Sequence, residues 1–342
     1  MTKKKTGRSS LGATRRNVCR LLALAPVAAP FVATQLARSA RAQGGYPNRP
    51  VRFVLPFGAG GVADVTSRLT AEKLGEKLGQ RFVVENQPGA GGINAARAVI
   101  GAAADGYTLG LVTNGTAISV PLFKALPFDP VKQFAMISTL GTFDLVFAAN
   151  AQSEMRTLQD FMQAARQKPG KLNVGTINIG STQNLGAELF KSSAGLDFQI
   201  VPYRGSPEIL VGLLRNDVDL MIDFYAALRA GVTDGKLRPL AVSGAARSSM
   251  LPNVPTVQEN GVRDYEVTSW NGMFAPQGTP EEVITVLNRA LREILDIPEV
   301  KKQFADVGIE AKASSPAELA ARLQQDIEKW GKVIERANIP KQ

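Results

Sequence analysis

Five times along this chain a short apolar or β-branched run ends in a turn rich in glycine, asparagine or serine, and a helical pattern begins directly afterwards. That recurrence constrains the fold more than any other feature, because strands joined through helices run parallel and need both faces covered. Val51 to Phe57 is the first such run; Val62, Val65, Leu69 and Leu74 then recur at helical spacing until Gly79 stops them. Arg81 to Glu85 reads as strand, Ile93 to Ala103 as helix and Thr108 to Thr113 as strand. Further on, Thr157 with Asp160 gives a capping-box-like start to a helix that ends at Lys168-Pro169-Gly170. Leu172 to Gly175, Phe198 to Val201 and Leu220 to Phe224 read as strands; Gln183 to Ala194 and Pro207 to Arg215 read as helices. The last third changes in kind. Thr279-Pro280 opens a long helix towards Ile297, and Ser315-Pro316-Ala317-Glu318 opens another that carries Leu319, Leu323, Ile327, Trp330 and Ile334. The expected class is α/β, with parallel sheets covered by helices on both faces.

The chemistry lies in the turns. Gly58-Ala59-Gly60-Gly61 joins a strand to a helix, so it presents free backbone N–H groups and the positive end of a helix dipole at one point. Glycine allows both the tight turn and the close approach of a ligand. Asn86-Gln87-Pro88-Gly89-Ala90-Gly91-Gly92 repeats the arrangement, as do Thr113-Asn114-Gly115-Thr116, Gly180-Ser181-Thr182-Gln183 and Tyr203-Arg204-Gly205-Ser206-Pro207. Any one such turn is ordinary punctuation of an α/β fold. Several at the carboxyl ends of parallel strands form a crevice suited to a small anion.

Compartment follows from the N-terminus. Thr14-Arg15-Arg16-Asn17-Val18 introduces an apolar run from Leu21 to Ala33, and Ala40-Arg41-Ala42 closes it with small residues. This reads as a twin-arginine export signal over 1–42, cleaved near Ala42, which delivers the protein to the periplasm. The run holds Pro26 and Pro30 and is too short for a membrane span of about 20 residues. Nine of the forty Lys+Arg lie in 1–42 and none of the thirty acids do, which leaves 31 basic against 30 acidic residues, a net charge of +1. The basic excess that would suggest nucleic acid therefore belongs to the signal, and no nucleic-acid partner is expected. The single cysteine, Cys19, is also in the signal, so the mature chain has no disulfide. The remainder, roughly 300 residues, suffices for two domains, and no repeat or low-complexity linker separates them.

Absences narrow the chemistry. Without histidine or a mature cysteine, Ser-His-Asp and Cys-His nucleophile systems are excluded, and only oxygen ligands remain for a metal. Asp219 and Asp223 are the nearest carboxylate pair and read as a turn residue and a strand-end residue. One alternative survives, because Gly58-Ala59-Gly60-Gly61-Val62-Ala63 fits the G-x-G-x-x-G/A dinucleotide pattern, with Glu85 about 20 residues on. Against it, Pro56 and Phe57 precede the first glycine, Asp64 would repel a pyrophosphate, and no histidine or Tyr-x-x-x-Lys pair supplies an acid or base.

The motifs Tyr46-Pro47-Asn48-Arg49-Pro50-Val51-Arg52, Pro56 to Gly61 with Asp64 and Arg68, Glu85 to Gly92, and Ala104-Asp105-Gly106-Tyr107-Thr108-Leu109 resemble the tripartite tricarboxylate transporter substrate-binding family, the Bug receptors. Leu126 to Pro130, Lys168 to Asn173, Val201 to Ser206, Gly235 to Arg238, Leu251 to Thr256 and Lys329-Trp330-Gly331 agree in order and spacing, so the resemblance spans the mature chain. It implies a periplasmic binding protein type II-like fold, two α/β lobes with a ligand cleft and hinge, in a monomeric receptor that is not an enzyme. The first and last parts of the chain share a lobe in such proteins, which puts 43–148 with 270–342 and leaves 149–269 as the second. The implied ligand is a small organic carboxylate and the implied partner a two-component membrane permease, with no cofactor and no metal. An exported nicotinamide-dependent oxidoreductase and a receptor reporting to a membrane kinase are the other readings.

Family logic places the ligand against Phe57, Gly58, Ala59, Gly60, Gly61 and Asp64 and against the loop from Asn178 to Ser181, Thr182 and Gln183. Ala90, Asn114, Thr116, Tyr203, Asp223 and Tyr225 complete the expected site. Asp64 is expected to hold water or the loop's own N–H groups, or to receive a ligand ammonium. The chain departs from the family at Val62-Ala63, Ile93-Asn94-Ala95-Ala96, Thr176 to Leu185 and Asp223-Phe224-Tyr225. Phe224 and Tyr225 either pack on a bulkier or less polar carboxylate or serve the lobe core alone.

Overall fold

In the computed structural model, residues 45–342 are described; the export signal expected over 1–42 lies outside them. Strands β1 (Val51–Leu55), β2 (Phe82–Asn86) and β3 (Thr108–Thr113) run parallel, with β1 between the other two. Helix α1 (Val62–Leu78) joins β1 to β2 and α2 (Ile93–Ile100) joins β2 to β3. The stop signal at Gly79 acts through geometry: its φ of 72° is left-handed, and its N–H donates to the Gly75 carbonyl. After β3 come α3 (Asn114–Leu122) and the single-turn α4 (Pro130–Gln133).

The next element changes the architecture. Strand β4 (Phe134–Asn150) is 17 residues long. From Phe134 to Asp144 it pairs antiparallel with β9 (Thr268–Pro276), and from Leu145 onward it pairs antiparallel with β7 (Leu220–Phe224) and β8 (Leu237–Val242). Beyond β7 lie β5 (Asn173–Ile177) and β6 (Gln199–Tyr203), parallel to it and to one another. The order is β2-β1-β3-β9-β4-β7-β5-β6, with β8 and the two-residue β10 (Glu310–Ala311) also on β4. The sheet is therefore mixed, where the alternation of strands and helices had pointed to parallel pairing throughout. β4 is almost continuously buried, so it shows no period-2 pattern from which a direction or a face could be read. Each half keeps a parallel portion, and β4 runs through both.

The remaining helices are α5 (Leu158–Gln167), α6 (Thr182–Ser193), α7 (Ser206–Leu214), α8 (Tyr225–Thr233), α9 (Glu281–Leu295), α10 (Pro298–Asp306) and α11 (Pro316–Arg336). Thr157 and Ser315 both close reciprocal capping boxes, with Asp160 and Glu318. The long helix expected from Thr279 ends at Leu295, and Pro298 opens the separate α10. Along α11, Leu319, Leu323, Trp330 and Ile334 are buried in one stripe, each worth about 2 kcal/mol of apolar burial. They bring α11 against α3 and β4, beside the carboxyl end of β3. The chain end is fixed there as well: the Lys124 N–H donates to the Gln342 carbonyl at 2.8 Å, and the Gln342 N–H to the Leu122 carbonyl at 2.9 Å. Among the described residues no helix is long and apolar enough to cross a membrane.

Candidate binding site

Each of the five glycine- or serine-bearing turns does lead from the carboxyl end of a strand into a helix. Three of them converge. Pro56 and Phe57 after β1, Gly89, Gly91 and Gly92 after β2, and Thr113, Gly115, Thr116 and Ser119 around the start of α3 line one cavity of about 200 Å³. No charged side chain is among these lining residues. Among the lining residues, the Gly92 N–H, the Thr113 N–H and the Ser119 hydroxyl already donate within the chain, so what the walls offer an anion is the N–H groups of Gly91 and Gly115 beside helix starts, together with the threonine hydroxyls. Thr116 Oγ1 accepts the Thr113 N–H in a capping box, which leaves its own hydroxyl hydrogen to donate elsewhere.

The first turn is open on one side. A Cβ added at Gly58, Gly60 or Gly61 would meet nothing within 4 Å, so the glycines there leave room rather than relieve crowding. Gly60 is the exception in backbone terms, with φ at 86°. In the second turn, Gly91 has φ 62° and a Cβ would press on the Phe123 ring at 3.0 Å. Phe57 is 40% exposed at this rim, and Ile179, on the turn after β5, is 53% exposed.

Asp64 explains how the open turn keeps its shape. It is buried, and its Oδ2 accepts the Gly60 N–H at 2.9 Å and Arg68 Nε at 3.0 Å. Its Oδ1 accepts Asn86 Nδ2 at 2.9 Å and lies 2.9 Å from Arg68 Nη2 as an ion pair, while that nitrogen donates to Asn86 Oδ1 at 2.8 Å. Asn86 also donates to the Phe57 carbonyl at 3.0 Å, so one amide ties the second turn to the first. The Arg68 guanidinium, with help from the Gly60 and Asn86 donors, outweighs burial and draws the Asp64 carboxyl down to about 2. Of the three roles open to Asp64 on sequence, the geometry has it holding the loop's own N–H. With three hydrogen bonds and the Arg68 ion pair already on its two oxygens, it has little capacity left for a ligand ammonium.

The other predicted residues divide. Asn114 is buried, and both ends of its amide are engaged: Nδ2 donates to Thr182 Oγ1 at 2.9 Å, and Oδ1 accepts Trp330 Nε1 at 2.8 Å. It therefore links the start of α3 to the start of α6, bringing the third and fourth turns together. Ser181 caps α6 by accepting the Asn184 N–H at 3.1 Å. Gln183 donates to Asp223 Oδ1 at 2.9 Å, and that same oxygen accepts the Phe224 N–H at 2.8 Å. Asp223 Oδ2 is buried without a hydrogen-bond partner. Burial raises the Asp223 carboxyl against the opposing pull of Ser206, Gln183 and the Phe224 amide. Asn178 is exposed beside Ile179.

Tyr203 stands apart from the cavity, with its hydroxyl over Gly212 and its ring near Gly175. Tyr225 packs against the same cluster of Val146, Ile209, Leu213 and Met221. Phe224 meets Phe143 edge-on at 4.8 Å between ring centres. Both rings beside Asp223 thus have core contacts while remaining half-buried. Ala90 belongs to the short 3-10 turn Ala90–Gly92. Of the lining residues the expected site named Phe57 and Thr116; it left out Pro56, Gly89, Gly91, Gly92, Thr113 and Gly115, all in or beside the turns singled out on sequence, as well as Ser119, and it did not have Trp330 as the partner of Asn114. Trp330 lies 216 residues from Asn114, and only its place on the apolar stripe of the last helix gave a sign of it.

Comparison with known proteins follows the same lines. The sequence model for the tripartite tricarboxylate transporter family receptor matches residues 66–339. Protein BugT of Bordetella pertussis is 31% identical over 320 residues, 93% of this chain and 97% of its own length. A solved R. palustris protein with adipate is 34% identical and has a TM-score of 0.75, covering 86% of this chain and 99% of that one. MatC from Rhodopseudomonas palustris, solved with bound malate, is 32% identical with a TM-score of 0.70, covering 84% of this chain and 100% of that one.

Proposed function

This chain belongs to the tripartite tricarboxylate transporter receptor family, whose members are periplasmic solute receptors and not enzymes, and from that premise we propose that it captures a small organic carboxylate between two lobes. The oxidoreductase reading is set aside with it. The lobes are 43–148 with 270–342, and 149–269. The change of partners along β4 between Asp144 and Leu145, and the start of β9 at Thr268, support these boundaries to within a few residues. The one observation that carries the reading is the cavity at the three lobe-one turns, walled by backbone donors and hydroxyls with no charged side chain. A carboxylate there replaces its water with fixed N–H dipoles, and ordered water can bridge any donor set back from it.

Closure is the mechanism. A ligand that touches both lobes favours the closed arrangement through contacts made only in that form. Asn114 and Thr182 already join the two sides at the base of the cleft, leaving Phe57 and Ile179 to approach from the rims. The bound ligands of the two R. palustris relatives, adipate and malate, support a carboxylate of this size. Delivery to a two-component permease, export with cleavage near Ala42 and a monomeric state complete the proposal.

The test is a thermal-shift panel on ligand-stripped mature protein, with aliphatic di- and tricarboxylates, acidic amino acids, aromatic carboxylates and nicotinamide dinucleotides. Ligand at about 100 times its Kd adds about 2.7 kcal/mol, a shift of several degrees. A shift confined to carboxylates supports the reading; a shift with dinucleotide alone overturns it.

A further inference from the structure

The two halves of the sheet are joined at two crossings, Asp144–Leu145 within β4 and Val267–Thr268 at the start of β9, and one residue bolts both. Ser243 is fully buried. Its Oγ accepts the Leu145 N–H at 2.7 Å and donates to the Val267 carbonyl. Its own N–H donates to the Leu145 carbonyl at 2.9 Å, and its carbonyl accepts the Val267 N–H at 2.9 Å. Asp144 sits against this bolt. Thr268 Oγ1 donates to Asp144 Oδ1 at 2.8 Å, and a Cβ at Gly244 would collide with the carboxylate, so only glycine fits after Ser243.

Asp144 also lines a cavity of about 240 Å³ to which both halves contribute: Thr142 and Phe143 from β4, the segment 244–250 after β8, and Glu266, Thr268, Glu310, Lys312 and Arg322. The charges facing Asp144 do not balance it. Glu310 on β10 and Glu266 ahead of β9 oppose its ionisation. Arg322 on α11 favours it, but its Nη2 is committed to the Thr268 carbonyl at 2.8 Å and its Nε leans to Asp326 at 3.4 Å. Arg247 is paired with Glu259 at 2.9 Å. Lys312 lines the cavity without an ion pair among the described residues. The buried Tyr265 phenol has no hydrogen-bond partner, and its ionisation is opposed first by burial and then by the charge on Asp144.

We propose that Asp144 is a proton-operated latch on the hinge: protonated, it holds the junction in the arrangement seen here, and ionised, it favours an arrangement of the two halves that opens the junction cavity further to water. Asp144 is only partly buried on the cavity wall, and a carboxylate without a committed cation, facing Glu310 and Glu266, is stabilised by any motion that widens its access to water; the bolt at Ser243 confines that motion to the two crossings. Burial, reinforced by Glu310 and Glu266, places the Asp144 carboxyl at about 6, within the range that a compartment open to the surroundings can experience. The inference rests on the two-lobe reading but not on the identity of the cargo.

The experiment needs no ligand. The mature chain lacks cysteine, so Ala320→Cys and Lys171→Cys, one exposed site on each half, accept spin labels whose separation is measured from pH 4.5 to 8. The expected result is a change in the distance distribution with its midpoint near pH 6, absent in Asp144→Asn, which keeps the low-pH distribution throughout. Thr268→Val should raise the midpoint by removing a donor to the carboxylate, and Glu310→Gln should lower it. These two variants keep the test decisive if Asp144→Asn does not fold. A distribution that ignores pH, a transition that survives in Asp144→Asn, or midpoints unmoved in both of the other variants would overturn the proposal, and none of these bears on whether carboxylates bind.

Discussion

Replacing Asp64 by alanine removes the acceptor for three hydrogen bonds at once, one each from Gly60, Asn86 and Arg68, and one half of the Arg68 ion pair. The Gly60 and Asn86 bonds, made to a buried charge, are worth about 1 kcal/mol each once water is allowed to replace the lost partner. The Arg68 pair contributes less than its geometry suggests, because that side chain is 50% exposed and the pair is screened to about 0.5 kcal/mol. The total is about 2–3 kcal/mol. A carboxyl drawn from 3.8 down to about 2 gives about 2 kcal/mol at 1.36 kcal/mol per pH unit, in agreement. With an unfolding entropy of about 2.1 cal/mol/K per residue over roughly 300 residues, Tm should fall by about 3–5 °C. The sign with pH is fixed: a depressed carboxyl stabilises fully above its unfolded value near 3.8 and loses that contribution as pH falls towards 2. The variant's deficit is therefore constant from pH 5 to 8 and closes only in strong acid. Because the same bonds shape the open turn, carboxylate affinity should drop at least tenfold, about 1.4 kcal/mol, as the turn must now be ordered on binding. Differential scanning calorimetry with isothermal titration reads both quantities. An Asp64→Ala protein with native Tm and native affinity for every ligand would refute the account of the loop.

Gly60→Ala meets no steric obstacle yet must hold φ near 86°, so urea denaturation should show a loss of about 1–2 kcal/mol from backbone strain alone. Asn114→Ala strands the Trp330 indole N–H and Thr182; a loss of about 2–3 kcal/mol is expected, read by chemical denaturation, with a change in tryptophan emission. Asp144 has a raised carboxyl, so it binds its proton more tightly folded than unfolded. Wild-type stability should fall by about 2 kcal/mol as pH rises from about 4 to about 6, and Asp144→Asn should remove that slope in pH-dependent thermal melts.

How much of this was legible depended on how local the cause was. The turns at Gly58 to Gly61 and Ser181 to Gln183, the stop at Gly79 and the caps at Thr157 and Ser315 are decided by residues within four positions of one another, and each is where the sequence put it. The Asp64–Arg68 pair is one helical turn apart, so the loop-holding role was open to inference. β4 was not. Its near-continuous burial erases the alternation that would show a face, and its exchange of β9 for β7 and β8 is set by partners about 70 to 140 residues away. The bolt at Ser243 and the contact of Trp330 with Asn114 arise the same way, from separations of 98 and 216 residues. Tyr203 carries the motif signal of a site residue, and its ring also covers Gly175 and Gly212, a contact the motif did not show, because small residues on the neighbouring strand and helix leave a slot that an aromatic ring fills.

The central claim is that backbone N–H groups at helix starts hold the ligand. It is tested most directly by titrating deuterated, ¹⁵N-labelled mature protein with the carboxylate that gives the largest thermal shift, and following every backbone amide. The account predicts that the largest shift changes fall on Gly58, Gly61, Gly91 and Gly115 and on Thr182 and Gln183 across the cleft, whereas Gly60, Gly92, Thr116 and Ser181, whose N–H groups already donate within the chain, shift less. Saturable changes confined to other amides, such as those of 244–250 around the junction cavity, would contradict it.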